Sequence, residues 1–122
     1  MSLIDNARRV QELMVQGQGL KALEEMYHKD IQVYEMATGE HRTGREEQKR
    51  AMQDWYNNLH EVHDSGYGAV TSDEENSVTC AELWMDVTFK DGKRQRLEEV
   101  AVQKWKDGKI IEEKFYYNLP GK

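Results

Sequence analysis

The sequence predicts an α+β fold in which three amphipathic helices cover one face of a curved, mostly antiparallel β-sheet. Three observations predict it: helical spacing of apolar residues in the first sixty positions, strand-like alternation in four later segments, and two Asp-Gly pairs between the last three of these segments. An Asp-Gly pair between alternating segments is a strong hairpin indicator. An antiparallel sheet has one face that needs cover, and the helices supply it.

The helices are predicted in the first half of the chain. A first helix runs from position 3 to 14, and a shorter second helix from 20 to about 28, after two glycines that break the pattern. Residues 31–36 alternate and predict a short strand, whereas the polar, glycine-containing segment 38–44 predicts a loop. A third helix follows. Its buried stripe is expected at Gln48, Met52, Trp55 and Leu59.

Four extended segments predict the strands of the second half. Asp91-Gly92 and Asp107-Gly108 are each expected to form a type I′ turn, which needs positive φ at both central residues. The last three strands then form an antiparallel meander. The four strands are expected at 62–71, 78–89, 94–106 and 109–118.

Size and charge limit what the chain can be. Its 122 residues and 14.3 kDa fit one domain, residues 1–122. A net charge of −6, with no cluster of basic residues, argues against nucleic-acid binding. The chain has one cysteine, so it cannot form an internal disulfide. It has no apolar run near its N-terminus, so we expect neither a signal peptide nor a membrane span. We therefore expect a cytoplasmic protein.

Four motifs connect the sequence to a known family. They are the segments 26–35, 42–44, 106–111 and 115–117. With the order of elements and the length, they resemble the SnoaL-like polyketide cyclases and ketosteroid isomerases of the NTF2-like superfamily. The resemblance covers nearly the whole chain and implies a cone-shaped domain whose pocket holds a small organic molecule. The superfamily includes isomerases, cyclases, epoxide hydrolases, dehydratases and proteins without catalytic activity, so the fold alone does not define the reaction.

Glu35 is the first catalytic candidate. It lies on the apolar face of the first predicted strand, where desolvation raises the pKa of a carboxyl group and suits it to proton transfer. The resemblance aligns it with the catalytic base of ketosteroid isomerases. The same alignment places Gln11 and Ala101 at the oxyanion-hole positions, so steroid isomerase activity is not expected. The alternative for Glu35 is an exposed strand end, or a pair with Arg42.

The strand predicted at 78–89 presents a conflict. Resemblance to limonene epoxide hydrolases implies that Glu82, Trp84 and Asp86 face the cavity, with Asp86 as a second catalytic carboxylate. Alternation alone places the opposite, more apolar face under the helices and sends these carboxylates to water. The two interpretations agree if a second copy covers the apolar face, or if a bulge switches the alternation. We expect a homodimer that forms through the sheet face.

The remaining pocket residues are expected on the last strand and the third helix. The resemblance places Glu113, Phe115 and Tyr117 in the wall, and Trp55 closes it. The alternative is that these aromatic side chains belong to a solid core. Together with Glu82 and Trp84, they are the predicted substrate-binding residues.

Neither a metal nor a cofactor is expected. His60 and His63 span a helix-to-strand junction without a third ligand, and the chain has no phosphate-binding loop or dinucleotide motif. Two functions remain open. The first is an enzyme in which Glu35 or Asp86 transfers a proton or activates water, in isomerisation, cyclisation, dehydration or hydrolysis. The second is a non-catalytic ligand-binding or dimeric interaction domain.

Overall fold

A computed structural model describes residues 2–118 and confirms the α+β class. The two ends of the predicted domain, residue 1 and residues 119–122, lie outside the described residues. The helices are α1 (Leu3–Val15), α2 (Gly19–Met26) and α3 (Arg45–Asn57). The strands are β1 (Tyr27–Glu35), β2 (Glu40–Thr43), β3 (Leu59–Asp73), β4 (Val78–Phe89), β5 (Arg94–Lys106) and β6 (Lys109–Tyr117).

The strands form one six-stranded sheet in the order β2-β1-β6-β5-β4-β3. All neighbours are antiparallel except β1 and β6, which run parallel. Three register shifts along β3 interrupt its pairing with β4. Because bulges of this kind bend a strand and increase its twist, they favour the curvature of the sheet.

The predicted loop at 38–44 contains β2, which pairs with the end of β1 from Gln32↔Thr43 to Glu35↔Glu40. The prediction of a loop was wrong there, because alternation of polar and apolar residues cannot reveal a strand in a segment of four polar residues. β1 also begins four residues earlier than predicted, at Tyr27. These corrections matter because β2 brings Arg42 beside Glu35.

The two Asp-Gly pairs form different turns. Asp107 and Gly108 have φ of 52° and 76°, as a type I′ turn requires. At the other pair only Gly92 has a positive φ, so the predicted type I′ turn was wrong. There the loop is longer, because Lys90 N donates to Asn58 O at the end of α3 (2.9 Å) and Lys93 N donates to the Asp91 side chain (2.9 Å).

The interior combines a solid core with a hollow. The core joins α1 and α2 to β1, to the end of β5 and to the start of β6. Its buried members are Ala7, Val10, Leu23, Tyr27, Ile31, Val33, Trp105 and Ile110. In α3, by contrast, Gln48 is the one buried residue, and Met52 and Trp55 face a void. No helix within residues 2–118 is long and apolar enough to cross a membrane.

A carboxyl-rich cavity between the helices and the sheet

A cavity of about 770 Å³ lies between α1, α3 and the inner face of the sheet. This volume is within the range of small-molecule pockets. Exposed lining residues mark its opening, and buried ones form its floor. The opening carries Glu40, Asp54 and Asn58. The floor carries Gln11, Gln48, Ala101, Gln103 and Glu113.

Glu113 of β6 is a fully buried carboxyl group on the cavity floor, with 1% of its surface exposed. The Tyr27 hydroxyl and the Gln103 side-chain amide each donate to its Oε2 at 2.5 Å, whereas its Oε1 has no hydrogen-bond partner among the described residues. Burial raises the pKa of Glu113 to about 7, and the two hydrogen bonds oppose that rise. Because both donors bond to Oε2, a proton that Glu113 takes up near neutral pH is carried by Oε1.

A relay of hydrogen bonds fixes the amide that serves Glu113. Trp105 Nε1 donates to Thr79 Oγ1 at 2.9 Å, and Thr79 Oγ1 donates in turn to Gln103 Oε1 at 3.5 Å. Gln11 Nε2 also donates to Gln103 Oε1, at 3.4 Å. With its oxygen occupied, Gln103 presents its NH₂ group to the carboxylate. Burial also raises the pKa of Tyr27 well above its ordinary value, so its phenol remains a donor.

Glu99 of β5 lines the same cavity. Burial is the main cause that raises its pKa to about 7, and the charges of Glu113 and Glu35 add to it. A carboxyl group with such a pKa is partly protonated and partly ionised at neutral pH. It therefore meets the usual requirement for a general acid or base.

Glu35, at the end of β1, lines the cavity as an ion pair. Arg42 Nη2 donates to Glu35 Oε2 at 2.5 Å, and each side chain is 15% exposed. Arg42 Nε also donates to Gln48 Oε1 of α3 at 2.6 Å. This pair with Arg42 is the alternative that the sequence left open for Glu35, and it gives the cavity one fixed positive group.

The structure brings the predicted wall residues Trp55, Glu113, Phe115 and Tyr117 to this cavity. Trp55 of α3 packs edge-on against Phe89, with ring centroids 5.6 Å apart. Burial and the nearby Glu35 raise the pKa of Tyr117 to about 12, so its hydroxyl stays protonated. Aromatic surface and hydrogen-bond donors thus face the same void as the carboxyl groups.

The predicted orientation of β4 was wrong for Glu82 and Asp86. Leu83 and Met85 line the cavity, and the buried Ala81 and Val87 share their strand face, because the hydrophobic effect places the apolar face under the helices. Glu82 is exposed beside a second hollow of about 610 Å³ on the outer face.

Asp86 lies outside both hollows and pairs with Arg94, whose Nε and Nη2 donate to its two oxygens at 3.1 and 3.0 Å. These bonds hold the pKa of Asp86 below its ordinary value. It is therefore a surface carboxylate that stays ionised. The apolar face of β4 is also covered within the chain, so its exposure no longer supports a dimer.

Trp84 lines both hollows, and its ring contacts Arg96 and Gly66 on the outer face. The Arg96 guanidinium carbon is 4.3 Å from the ring centroid, and the ring lies over Gly66 of β3. A β-carbon added to Gly66 would lie 2.7 Å from the ring, whereas one added to Gly68 would lie 3.5 Å from Glu82 Oε1.

Gly66→Ala is therefore expected to lower the free energy of unfolding by about 1–3 kcal/mol, because the ring must move. Gly68→Ala is the matched control and should stay within about 0.5 kcal/mol of the parent. Urea denaturation measures both variants. Equal stability of the two would show that Trp84 does not pack on Gly66.

Sequence reasoning missed Glu99, Tyr27 and Gln103. Glu99 and Gln103 lie on the inner face of β5. Apolar residues occur on both faces of this strand, with Leu97 inside and Val100 outside, so alternation does not show which face lines the cavity. Gln11 and Ala101, the oxyanion-hole positions of the resemblance, do line the cavity. Across residues 2–118, no group of three or more His, Cys, Asp or Glu side chains could hold a metal ion.

Comparison with known proteins agrees with this geometry. The family model of the SnoaL-like domain matches residues 1–117. A solved structure from Mesorhizobium loti, described as a SnoaL-like polyketide cyclase, is 32% identical, with a TM-score of 0.84 over 96% of this chain and 100% of that one. None of the curated proteins compared with the chain matches it.

Two further solved structures share the fold at low identity. One, from Bacillus subtilis, is described as an isomerase; it is 16% identical, with a TM-score of 0.81 over 97% of this chain and 90% of that one. The other, from Catenulispora acidiphila, has a ketosteroid isomerase-like fold; it is 15% identical, with a TM-score of 0.77 over 93% and 85%. The class is thus an NTF2-like α+β domain. Within that class, the chain belongs to the SnoaL-like domain family.

Proposed function

We propose that this chain is an acid–base enzyme that moves a proton on a small organic molecule held in the cavity. Isomerisation, cyclisation, dehydration and hydrolysis all require such a step. The observation that carries the proposal is the meeting of Glu35, Glu99 and Glu113 around one void, two of them with a pKa of about 7. Perturbed carboxyl groups in a cavity are typical of catalytic sites.

Each carboxyl group has a different role in this proposal. Glu99 is the proton carrier, since it borders the void and burial raises its pKa to about 7. Burial is the main cause of the raised pKa of Glu99, and Glu113 is a positioning residue whose charge adds to that rise. The Glu35–Arg42 pair orients the ligand, and Tyr117 donates a hydrogen bond to an oxygen on which charge develops.

Binding without turnover is the second candidate function. Gln11 and Ala101 replace the tyrosine and the acid that form the oxyanion hole in the ketosteroid isomerases. The side-chain amide of Gln11 already donates to Gln103, so it stabilises a developing oxyanion less than a free phenol would. In this case the cavity holds a ligand but leaves its bonds unchanged.

Base-promoted opening of 5-nitrobenzisoxazole tests the two candidates without knowledge of the natural substrate. The base takes the C–H proton, the N–O bond breaks, and the product is a coloured cyanophenolate. For the enzyme, we expect saturable elimination whose kcat/KM rises as Glu99 loses its proton near about pH 7 and then levels off. Elimination no faster than that of a Glu99→Gln variant would exclude the proton-transfer function.

We also propose a homodimer, formed through the outer face of the sheet and not through the apolar face of β4 on which the expectation from the sequence rested. Tyr116, which is 44% exposed, and the half-buried Val100 and Val102 lie there among charges of both signs. A two-fold symmetric contact between two copies can therefore place acidic side chains against basic ones and apolar side chains against each other. The charged residues are Arg96, Glu98, Glu112 and Lys114.

Light scattering should give about twice the chain mass of 14.3 kDa. Val100→Arg, on the same face, should give the single mass. A parent protein that is monomeric at high micromolar concentration would exclude the dimer. The cytoplasmic location stays a prediction.

A further inference from the structure

The lining of the cavity carries an excess of negative groups. Among residues 2–118, it contains five carboxylic acids and one base, Arg42. The guanidinium of Arg42 is already bonded to Glu35 and Gln48, and its Nη1 lies 3.4 Å from Glu40. The positive charge available inside the cavity is therefore committed to one wall. Among the residues that the structure describes, neither Glu99 nor Glu113 forms a salt bridge, although the charge of Arg42 lowers the pKa of Glu113 against the effect of burial.

A buried oxygen on the floor has no partner within the described chain. Glu113 Oε1 is buried and accepts no hydrogen bond from residues 2–118, although Glu113 lines the cavity. Leaving a buried acceptor unsatisfied costs free energy that a donor from a ligand would recover. A charged N–H donor recovers more than a neutral one, since its hydrogen bond to a carboxylate is about twice as strong.

The walls of the same cavity suit an organic ligand. Aromatic side chains come from α3 and β6, and apolar side chains come from α1 and β5. Aromatic surface near a cation adds attraction of its own. The chain also carries a net charge of −6, which attracts cations and repels anions over long range. The aromatic residues of α3 and β6 are Trp55, Tyr56, Phe115 and Tyr117, and Trp84 of β4 lines the cavity as well.

We propose that the cavity selects an organic cation, a protonated amine on an aromatic or cyclic body, and excludes organic carboxylates. The ammonium group lies between Glu99 and Glu113 and donates to Glu113 Oε1, while the body of the ligand packs against the aromatic walls. The inference rests on the proposed function only in placing the ligand in the same cavity, and it names the substrate class of that site.

Three probes of one shape and different charge test the proposal: 2-naphthylmethylamine, 2-naphthylmethanol and 2-naphthoate, each titrated calorimetrically into the full chain. At about pH 8 we expect the amine to bind roughly tenfold or more tightly than the alcohol, and the carboxylate to bind more weakly than both. Glu99→Gln should remove most of the preference for the amine. Glu98→Gln is the matched control, since Glu98 is exposed on the outer face, and it should retain the preference.

The pH dependence separates an electrostatic role of Glu99 from a structural one. Between about pH 8 and about pH 6 the primary amine stays protonated while Glu99 and Glu113 take up protons. The affinity for the amine should fall several-fold, and the affinity for the alcohol should not change. The other charged groups that line the cavity are Glu35, Glu40, Arg42 and Asp54. In Glu99→Gln the fall should be smaller.

The proposal is overturned if the alcohol or the carboxylate binds as tightly as the amine, or if none of the three binds at millimolar concentration. Unchanged amine preference in a folded Glu99→Gln variant overturns it as well, with folding checked by thermal unfolding. The proposed function fails in a different assay. If the chain binds the amine selectively but the elimination does not depend on Glu99, the cation site is retained and the proton-transfer function is excluded.

Discussion

Replacing Glu99 by glutamine is expected to slow the elimination of the nitrobenzisoxazole probe by about a hundredfold or more in kcat/KM, the usual contribution of a positioned general base. Glutamine keeps the size of the side chain and its place in the cavity but cannot accept the proton. The absorbance of the product gives the rate. The loss should be largest above about pH 7, where Glu99 of the parent protein is ionised.

The neighbouring Glu98 provides the control for this variant. Glu98 lies on the same strand, is exposed, and faces the opposite side of the sheet. Glu98→Gln removes one negative charge from the chain, as Glu99→Gln does, and should leave the rate unchanged. If both variants lose activity equally, the effect comes from net charge or stability, and Glu99 is not the base.

The free energy of unfolding is expected to fall as the pH rises from about 5 to about 8. Glu99 and Glu113 have pKa values of about 7 in the folded chain, against 4.5 as the ordinary value. Between these values the folded state holds protons that the unfolded state releases, so raising the pH favours unfolding. A shift from 4.5 to about 7 corresponds to about 3 kcal/mol per group.

Chemical denaturation at a series of pH values measures this decline. Glu113→Gln should flatten it, because the amide does not titrate. Glu112→Gln, one residue earlier and beside Lys114, should leave it unchanged. Carboxylates with a lowered pKa, such as Asp86, act in a different window, since their stabilisation is lost only as the pH falls through their own low pKa. A rise in stability between about pH 5 and about pH 8 would contradict the buried placement of Glu99 and Glu113.

Much of the fold could be predicted because its determinants are local. β4 and β5 have the predicted bounds, 78–89 and 94–106, since long alternating segments end at turn residues. The parallel pairing of β1 with β6 was beyond such reasoning, because it joins segments about eighty residues apart through backbone groups that every sequence has.

The site was only partly predictable, because alternation separates the two faces of a strand without saying which one is inside. On β4 the apolar face is inside, as the hydrophobic effect dictates. On β5 the inner face carries Glu99 and Gln103, since a hollow lined for a ligand tolerates polar groups that a solid core would exclude. Only the packing of α1 and α3 over the sheet determines the difference.

The position of α3 beside the cavity has a consequence for how the protein responds to heat. Because Met52 and Trp55 of α3 line the cavity, a bound molecule would add apolar contacts to both side chains. Any molecule that binds the folded chain and not the unfolded one raises the melting temperature in proportion to the logarithm of its concentration. The melting temperature therefore depends on what occupies the cavity beside α3, and a thermal melt shows whether a compound has bound there.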